Sequence, residues 1–386
     1  MNPANERYYS LDVFRGLTVA LMIMVNNPGT WEHIFKPLDH SPWNGCTPTD
    51  LVFPFFLFAV GNAMSFVMPK FYQEGTVYFF KKVLKRTLII FLIGFLIYWS
   101  PFFEWSGNRL VFKTIEKLRI MGVLQRIALC YFFGSLVVYF FKNKGALIFS
   151  FILLLLYWAL CVFLGNPSDH YSMQGFWGTH FDNQILGINH VYRGEGVPFD
   201  PEGLSSTLAA IVQVVFGFSI GDFIQRKGKN YEMLSHLFLI GFLLLFCGYW
   251  WDMVFPINKK MWTSSYTVYT TGLATIVLSS LIYFIEFKGV KGMWSKFFDV
   301  FGKNPLFIYF LSEFLPRLLE LVRIDNGLNA EGKTQYLNPM EWFYEHICKN
   351  IATDLRIGSL VYAIILIICY WLIVYALDKR KIYIKV

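Results

Sequence analysis

The residues best suited to chemistry lie together in "HSPWNGCTPTDLVFPFF", His40 to Phe56. Histidine titrates near neutrality and suits proton transfer. Asp39, directly before it, is a weaker candidate. "TPTD", Thr47 to Asp50, has the pattern of a capping box, with Thr47 as N-cap, Pro48 at the first helical position and Asp50 at the third. A helix beginning there sets His40 beside its N-terminus, where backbone N–H groups favour developing negative charge. Asp50 can orient the imidazole or cap the helix, and both roles stay open.

Other polar residues sit inside or at the ends of apolar runs, where ionisable groups are costly and point to function. Asp12 and Arg15 in "SLDVFRG" are three apart on one helix face and can neutralise each other. Gln125 and Arg126 in "GVLQRIALCYFF" lie several residues into an apolar run, so the arginine needs a partner or a wet cavity. "FDPEG" offers Asp200 as an N-cap, Pro201 at the first helical position and Glu202 in the first turn of a helix. "NKKMWTSSY", which holds Trp262, and "FGKNPLFIYF" each lead into a helix N-terminus suited to an anion. Lys303 and Asn304 are therefore candidates for a phosphate contact. His33, His170, His180 and His190 match no compact ligand motif, and the six cysteines show no CxxC spacing, so no metal is expected.

These residues must be positioned by membrane helices. Of 386 residues, 55% are hydrophobic, 19% aromatic and only 16% charged, against about 25% charged in a soluble chain. An all-α, polytopic bundle follows, since a span needs roughly 17–25 apolar residues. About ten runs qualify, near 12–28, 51–68, 87–103, 120–141, 146–165, 204–224, 234–255, 264–285, 305–322 and 357–377. The first run carries polar residues and no small-residue cleavage site, so it is expected to stay in the protein. With the N-terminus inside, the inner segments "KFYQEGTVYFFKKVLKR", "KNK", "QRKGK", "EFKGVKGMWSK" and "DKRKIYIK" are all basic. An even number of spans returns the C-terminus to the cytoplasm. The net charge of +8 then reflects topology and contact with anionic lipid, not nucleic-acid binding. No linker divides the chain, so residues 1–386 form a single domain. The outer segments 29–50, 104–119, 166–203 and 323–356 are the longest, and the third is rich in Gly, Asn, Asp, His and aromatics, a mix suited to a polar, ring-shaped ligand.

"SLDVFRGLTVALMIMVNNPG" followed by "HSPWNGCTPTDLVFPFFLFAVG" resembles the opening of the heparan-α-glucosaminide N-acetyltransferase family, the lysosomal transmembrane acetyltransferase and its bacterial relatives. The resemblance continues in order through "RIMGVLQRIALCYF", "FDNQILGINHVY", "FDPEGLSSTLAAI", "NKKMWTSSYT" and the closing "KRKIYIKV". It implies that acetyl-CoA is offered from the cytosol and that the acetyl group passes to an amine on the outer side. The family's active-site histidine maps onto His40, with Asn26, Asp12, Asp50, Trp43, Asn44 and Arg126 in the surrounding motifs. The lysosomal enzyme carries a further N-terminal region, so glucosamine or an amino-sugar fragment is the expected acceptor and a bacterial inner membrane the expected setting.

The resemblance gives the polar residues roles. His40 acts as general base, or attacks the thioester and carries the acetyl group. Helix N–H groups or the Asn44 amide meet the oxyanion. Lys81, Lys82, Lys85, Arg226, Lys227, Lys229 and Lys303 are the cations available for the phosphates, with Arg126, Gln125 and Asn304 as further donor contacts. Trp43, Asp12, Asp200, Glu202 and Trp262 are expected on the acceptor side. A homodimer is expected from the resemblance alone. The competing readings are an amino-sugar transporter, with His40 coupling protons, and an O-acetyltransferase acting on an envelope glycan.

Overall fold

The computed structural model describes residues 8–328 and 334–384, and the chain is mostly helical. The helices are α1 (Tyr9–Asn26), α2 (Val52–Glu74), α3 (Thr76–Trp99), α4 (Val123–Leu164), α5 (Trp177–Leu186), α6 (Leu204–Lys227), α7 (Tyr231–Trp251), α8 (Ser264–Ile282), α9 (Met293–Lys303), α10 (Pro305–Leu319), α11 (Pro339–His346) and α12 (Leu355–Lys379). Short antiparallel hairpins pair β1 (Phe103–Ser106) with β2 (Arg109–Phe112) and β3 (Ile324–Leu328) with β4 (Thr334–Leu337).

Among the described residues, seven helices are long and apolar enough to cross a membrane, those of α1, α2, α4, α6, α7, α8 and α12. The longest, α4, has 42 residues, about twice what a bilayer core requires. Its helical backbone breaks at Lys142, where φ is 57°, so it runs as two successive rods. The first half of α3 carries Lys81, Lys82, Lys85 and Arg86, so only part of its 24 residues is apolar. At 15 residues, α10 is short for a span.

Close backbone approaches set the bundle. A Cβ on Gly61 of α2 would lie 1.9 Å from the Val214 carbonyl oxygen of α6, and one on Gly217 would lie 2.1 Å from that of Phe58. Without side chains at these points, α2 and α6 pack almost backbone to backbone, which is how membrane helices gain dispersion energy where lipid is as apolar as leucine. The opposite surface of α7 leaves Phe242, Leu243, Phe246 and Trp250 exposed, as a lipid-facing stripe requires.

The polar residues segregate to two ends. At one, the C-terminal part of α2, the start of α3, the end of α9 and the residues after α12 bring Lys70, Lys82, Lys85 and Lys303 around one cavity. At the other lie His40, both hairpins and the long connection between α4 and α6. Trp105 Nε1 donates to the Leu321 carbonyl 3.2 Å away, tying the first hairpin to the end of α10.

Candidate active site

A 3₁₀ turn, Pro48–Leu51, leads into α2 and carries the predicted capping box. Asp50 is 1% exposed and splits its oxygens between two tasks. Oδ2 accepts from the Thr47 backbone N–H (3.0 Å), the Thr47 hydroxyl (3.1 Å) and the Ser41 N–H (3.1 Å). Oδ1 lies 2.7 Å from His40 Nδ1. A buried carboxylate at Nδ1 places the ring proton there and leaves the Nε2 lone pair for chemistry. Tyr266 of α8 fixes the base of the turn by donating its hydroxyl to the Asp50 carbonyl at 2.5 Å.

Lys259 completes the centre. Its Nζ lies 3.0 Å from His40 Nδ1, 3.2 Å from Nε2 and 3.6 Å from Asp50 Oδ1. An amine that near both ring nitrogens and the Asp50 carboxylate sets a basic group directly beside the imidazole. Burial pushes the Lys259 pKa down, partly opposed by the carboxylates of Asp50 and Glu202. Burial also holds the neighbouring Cys46 thiol protonated, its pKa raised to about 12.

The segment around Asn44 is stitched to the loop that bears Lys259. Gly45 N–H donates to the Ile257 carbonyl at 2.7 Å, and Asn258 Nδ2 donates to Asn44 Oδ1 at 3.2 Å. Asn44 thereby keeps its NH₂ group as a donor. Trp43 Nε1 donates to the Tyr171 carbonyl at 2.8 Å, and its ring meets Phe199 edge-on. Trp262, at φ 51°, is buried with its ring 5.1 Å from both the Arg126 guanidinium carbon and the Phe53 ring centroid.

A second ionic cluster adjoins this centre. Arg119 Nη2 lies 2.5 Å from both Asp200 Oδ1 and Glu202 Oε2, and Arg119 Nε donates to Asp200 Oδ2 at 3.0 Å. Arg119 holds the Glu202 carboxyl below its usual pKa against the opposing effect of burial. Asp200 is thus an arginine partner and not the expected N-cap. Helix α6 begins only at Leu204, after Gly203, and Asp200 serves the buried guanidinium and the Glu202 N–H, 3.0 Å from its Oδ1, ahead of it. Asn26 Nδ2 donates to Glu313 Oε1 of α10 at 3.2 Å. Arg126 is fully buried, donates to the Gly203 carbonyl and Ser206 hydroxyl, and has Nε and Nη1 unpartnered. Gln125 is equally buried, with both amide atoms unpartnered.

The opposite end holds a cavity of about 990 Å³ between α1, α2, α3, the first turn of α10 and the residues after α12. Arg15, Lys70, Lys82, Lys85, Arg86 and Lys303 line it. Asp12, expected with the acceptor, is found here and pairs with Arg15. Lys303 bridges Asp299 (2.7 Å) and Asp378 (3.1 Å). Asn304 spends its amide on backbone, donating to the Ile382 carbonyl and accepting from the Ile384 N–H. The cavity reaches Asn62 of α2, about 15 Å along the helix from Val52 at 1.5 Å per residue. Buried polar groups mark the intervening distance: Asn62 Nδ2 and Gln213 Nε2 have no partner, and Thr270 donates to Gln213 Oε1 at 3.4 Å.

Of the predicted residues, His40, Asp50, Asn44 and Trp43 converge on one centre, with Glu202 and Asp200 in the adjoining cluster. Lys85, Lys303 and Asp12 gather at the other end. Lys259, Arg119 and Glu313 had not been singled out. In the sequence Lys259 and Arg119 carry no motif that marks them, and Glu313 sits among apolar residues in "LSEFL".

Together these features define a polytopic helical membrane protein with a histidine–carboxylate–lysine centre at one end and a basic cavity at the other. Residues 7–182 match the family described as heparan-alpha-glucosaminide N-acetyltransferase, catalytic. The heparan-alpha-glucosaminide N-acetyltransferase of Mus musculus is 27% identical over 442 aligned residues, which cover 99% of this chain and 61% of the mouse protein. Its Homo sapiens counterpart is 26% identical over 363, covering 78% of this chain and 52% of the human protein. The chain is thus similar to the heparan-alpha-glucosaminide N-acetyltransferases, and it spans between about half and three fifths of their length.

Proposed function

We propose that this protein takes an acetyl group from acetyl-CoA at the basic, cytosolic end and delivers it to the amine of glucosamine or a related amino sugar on the outer side of a bacterial inner membrane. In this reading the chain crosses about ten times: α3, both halves of α4 and α10 join the other long helices, and both termini are cytosolic. The observation that carries the reading is the placement of an oriented histidine and a basic cavity at opposite ends of α2, joined by unpartnered buried polar groups.

Phosphates would meet Lys70, Lys82, Lys85 and Arg86, while the thioester arm runs past Asn62 and Gln213. At the outer end His40 can act in two ways. As a nucleophile, Nε2 attacks the thioester carbonyl carbon, the C–S bond breaks and CoA leaves as thiolate, which takes one proton of the sugar ammonium; the free amine then displaces imidazole from the acyl carbon, and its second proton passes to the released Nε2. As a general base, Nε2 takes the ammonium proton, and the freed amine displaces CoA directly. In both, Lys259 and the Asn44 NH₂ face the developing oxyanion, and Asp50 holds the ring. The carboxylates of Glu202 and Glu313 suit an acceptor that arrives as a cation.

The test is transfer of labelled acetyl from acetyl-CoA to glucosamine by the purified protein, beside His40→Ala. We expect turnover by the wild type only, with acetyl-CoA binding intact in the variant. Equal turnover by His40→Ala would remove His40 from the mechanism. No transfer to any amino sugar, and no stabilisation by acetyl-CoA, would favour a transporter instead.

A further inference from the structure

We propose that Ile382–Ile384, the strip of chain that follows α12, is a wall of the donor site that positions the nucleotide end of coenzyme A, with Asn304 as its clasp. The inference rests on the acetyl-CoA reading and adds a binding element to it. Helix α12 ends in a Schellman-type turn: Ile382 N–H donates to the Leu377 carbonyl at 2.9 Å, and Lys381 N–H donates to that of Asp378 at 2.9 Å. The residue that turns left-handed, at φ 56°, is Lys381, at a position where glycine is usual. The turn sends the chain back under the bundle, so that Tyr383 and Ile384 line the basic cavity.

Side chains from the α9–α10 junction hold the strip in place. Asn304, fully buried, donates Nδ2 to the Ile382 carbonyl at 3.1 Å and accepts from the Ile384 N–H at 2.8 Å through Oδ1. That pair of bonds fixes a strand-like segment from both its acceptor and its donor side. Lys303, one residue earlier, bridges Asp299 and Asp378 and ties the end of α12 to the end of α9. The Tyr383 hydroxyl donates to Asp378 Oδ1 at 3.1 Å, which orients the ring. Across the cavity stands Tyr78, with Lys70 and Lys82 each within 6 Å of its ring centroid. Two tyrosines and a set of cations at one mouth suit an adenine, which stacks, and phosphates, which need charge. The pantetheine arm, deeper along α2, does not meet the strip.

That division supplies the test: KM for acetyl-CoA against KM for acetyl-pantetheine, which lacks the nucleotide. Wild type, Asn304→Ala and a chain ending after Lys381 are compared. We expect a rise of ~tenfold or more in KM for acetyl-CoA in both variants, little change in kcat and little change with acetyl-pantetheine. A second pair guards against a variant that fails to fold. Lys381→Val and Lys381→Gly both remove the amine, but only valine resists the left-handed turn, so the valine variant is expected to lose the larger share of acetyl-CoA affinity. Unchanged KM, or equal weakening for both donors, overturns the proposal while leaving the acetyltransferase reading intact. Failure of the wild type to bind either donor overturns both.

Discussion

At the scale of single residues, Asp50 performs both roles that its spacing offered. One oxygen caps the turn and the other aligns the ring, because a carboxylate has lone pairs enough for both. Replacing Asp50 with Asn would present an NH₂ group toward Nδ1 or toward the cap and turn the imidazole to its other tautomer. We expect kcat for acetyl transfer to fall on the order of 10²–10⁴-fold with acetyl-CoA affinity kept, measured by steady-state kinetics. Lys259 gives a pH signature. Its pKa is depressed, so its charge is lost as pH rises through a value below that of free lysine. If that charge faces the oxyanion, transfer falls on the alkaline side along that titration. Lys259→Arg, which stays charged, should move the alkaline limb upward; a limb that does not move would remove Lys259 from the chemistry. The sequence displayed His40 and Asp50 because one motif holds both. Lys259 could not be read, since it meets His40 across 219 positions, and that meeting exists only after the loops pair.

At the scale of elements, the hydrophobic runs were legible and their ends were not. The spans expected near 120–141 and 146–165 are two rods that meet at Lys142, where the backbone leaves the helical conformation within the short polar "KNK". Asp200 was misplaced because the pattern "DPEG" shows a cap but cannot show Arg119, 81 residues away in the chain. Arg119→Met would leave two carboxylates beside each other without their cation. We expect a loss of about 3–5 kcal/mol, seen as a lowered thermal midpoint of the detergent-solubilised protein. The α2–α6 contact makes a separate prediction. Gly61→Ala or Gly217→Ala must push the helices apart, and each should cost about 1–3 kcal/mol. Because α2 also carries the histidine turn, transfer should fall further than stability alone accounts for, which kinetics at a temperature well below the midpoint would reveal.

At the scale of the whole molecule, composition made the membrane legible, and the basic segments propose a sidedness. Segregation of the polar residues to two ends agrees with that, and labelling tests it. In a cysteine-free background, Asn189→Cys should react with an impermeant maleimide on intact cells, whereas Lys229→Cys should react only after permeabilisation; the reverse would invert the protein. How far apart the two chemistries stand was not legible, since the cavity is built from both ends of the chain and closed by residues after α12. That distance has its own consequence. Helix α2 carries the histidine turn at one end and cavity-lining residues from Ala59 onward, and its glycine contacts with α6 keep it from sliding. On the proposed acetyltransferase reading it works as a measuring rod, and donors are graded by reach. A thioester on a stub such as N-acetylcysteamine can sit at the cations or at His40 but never at both, so its turnover should be indifferent to every change made in the basic cavity.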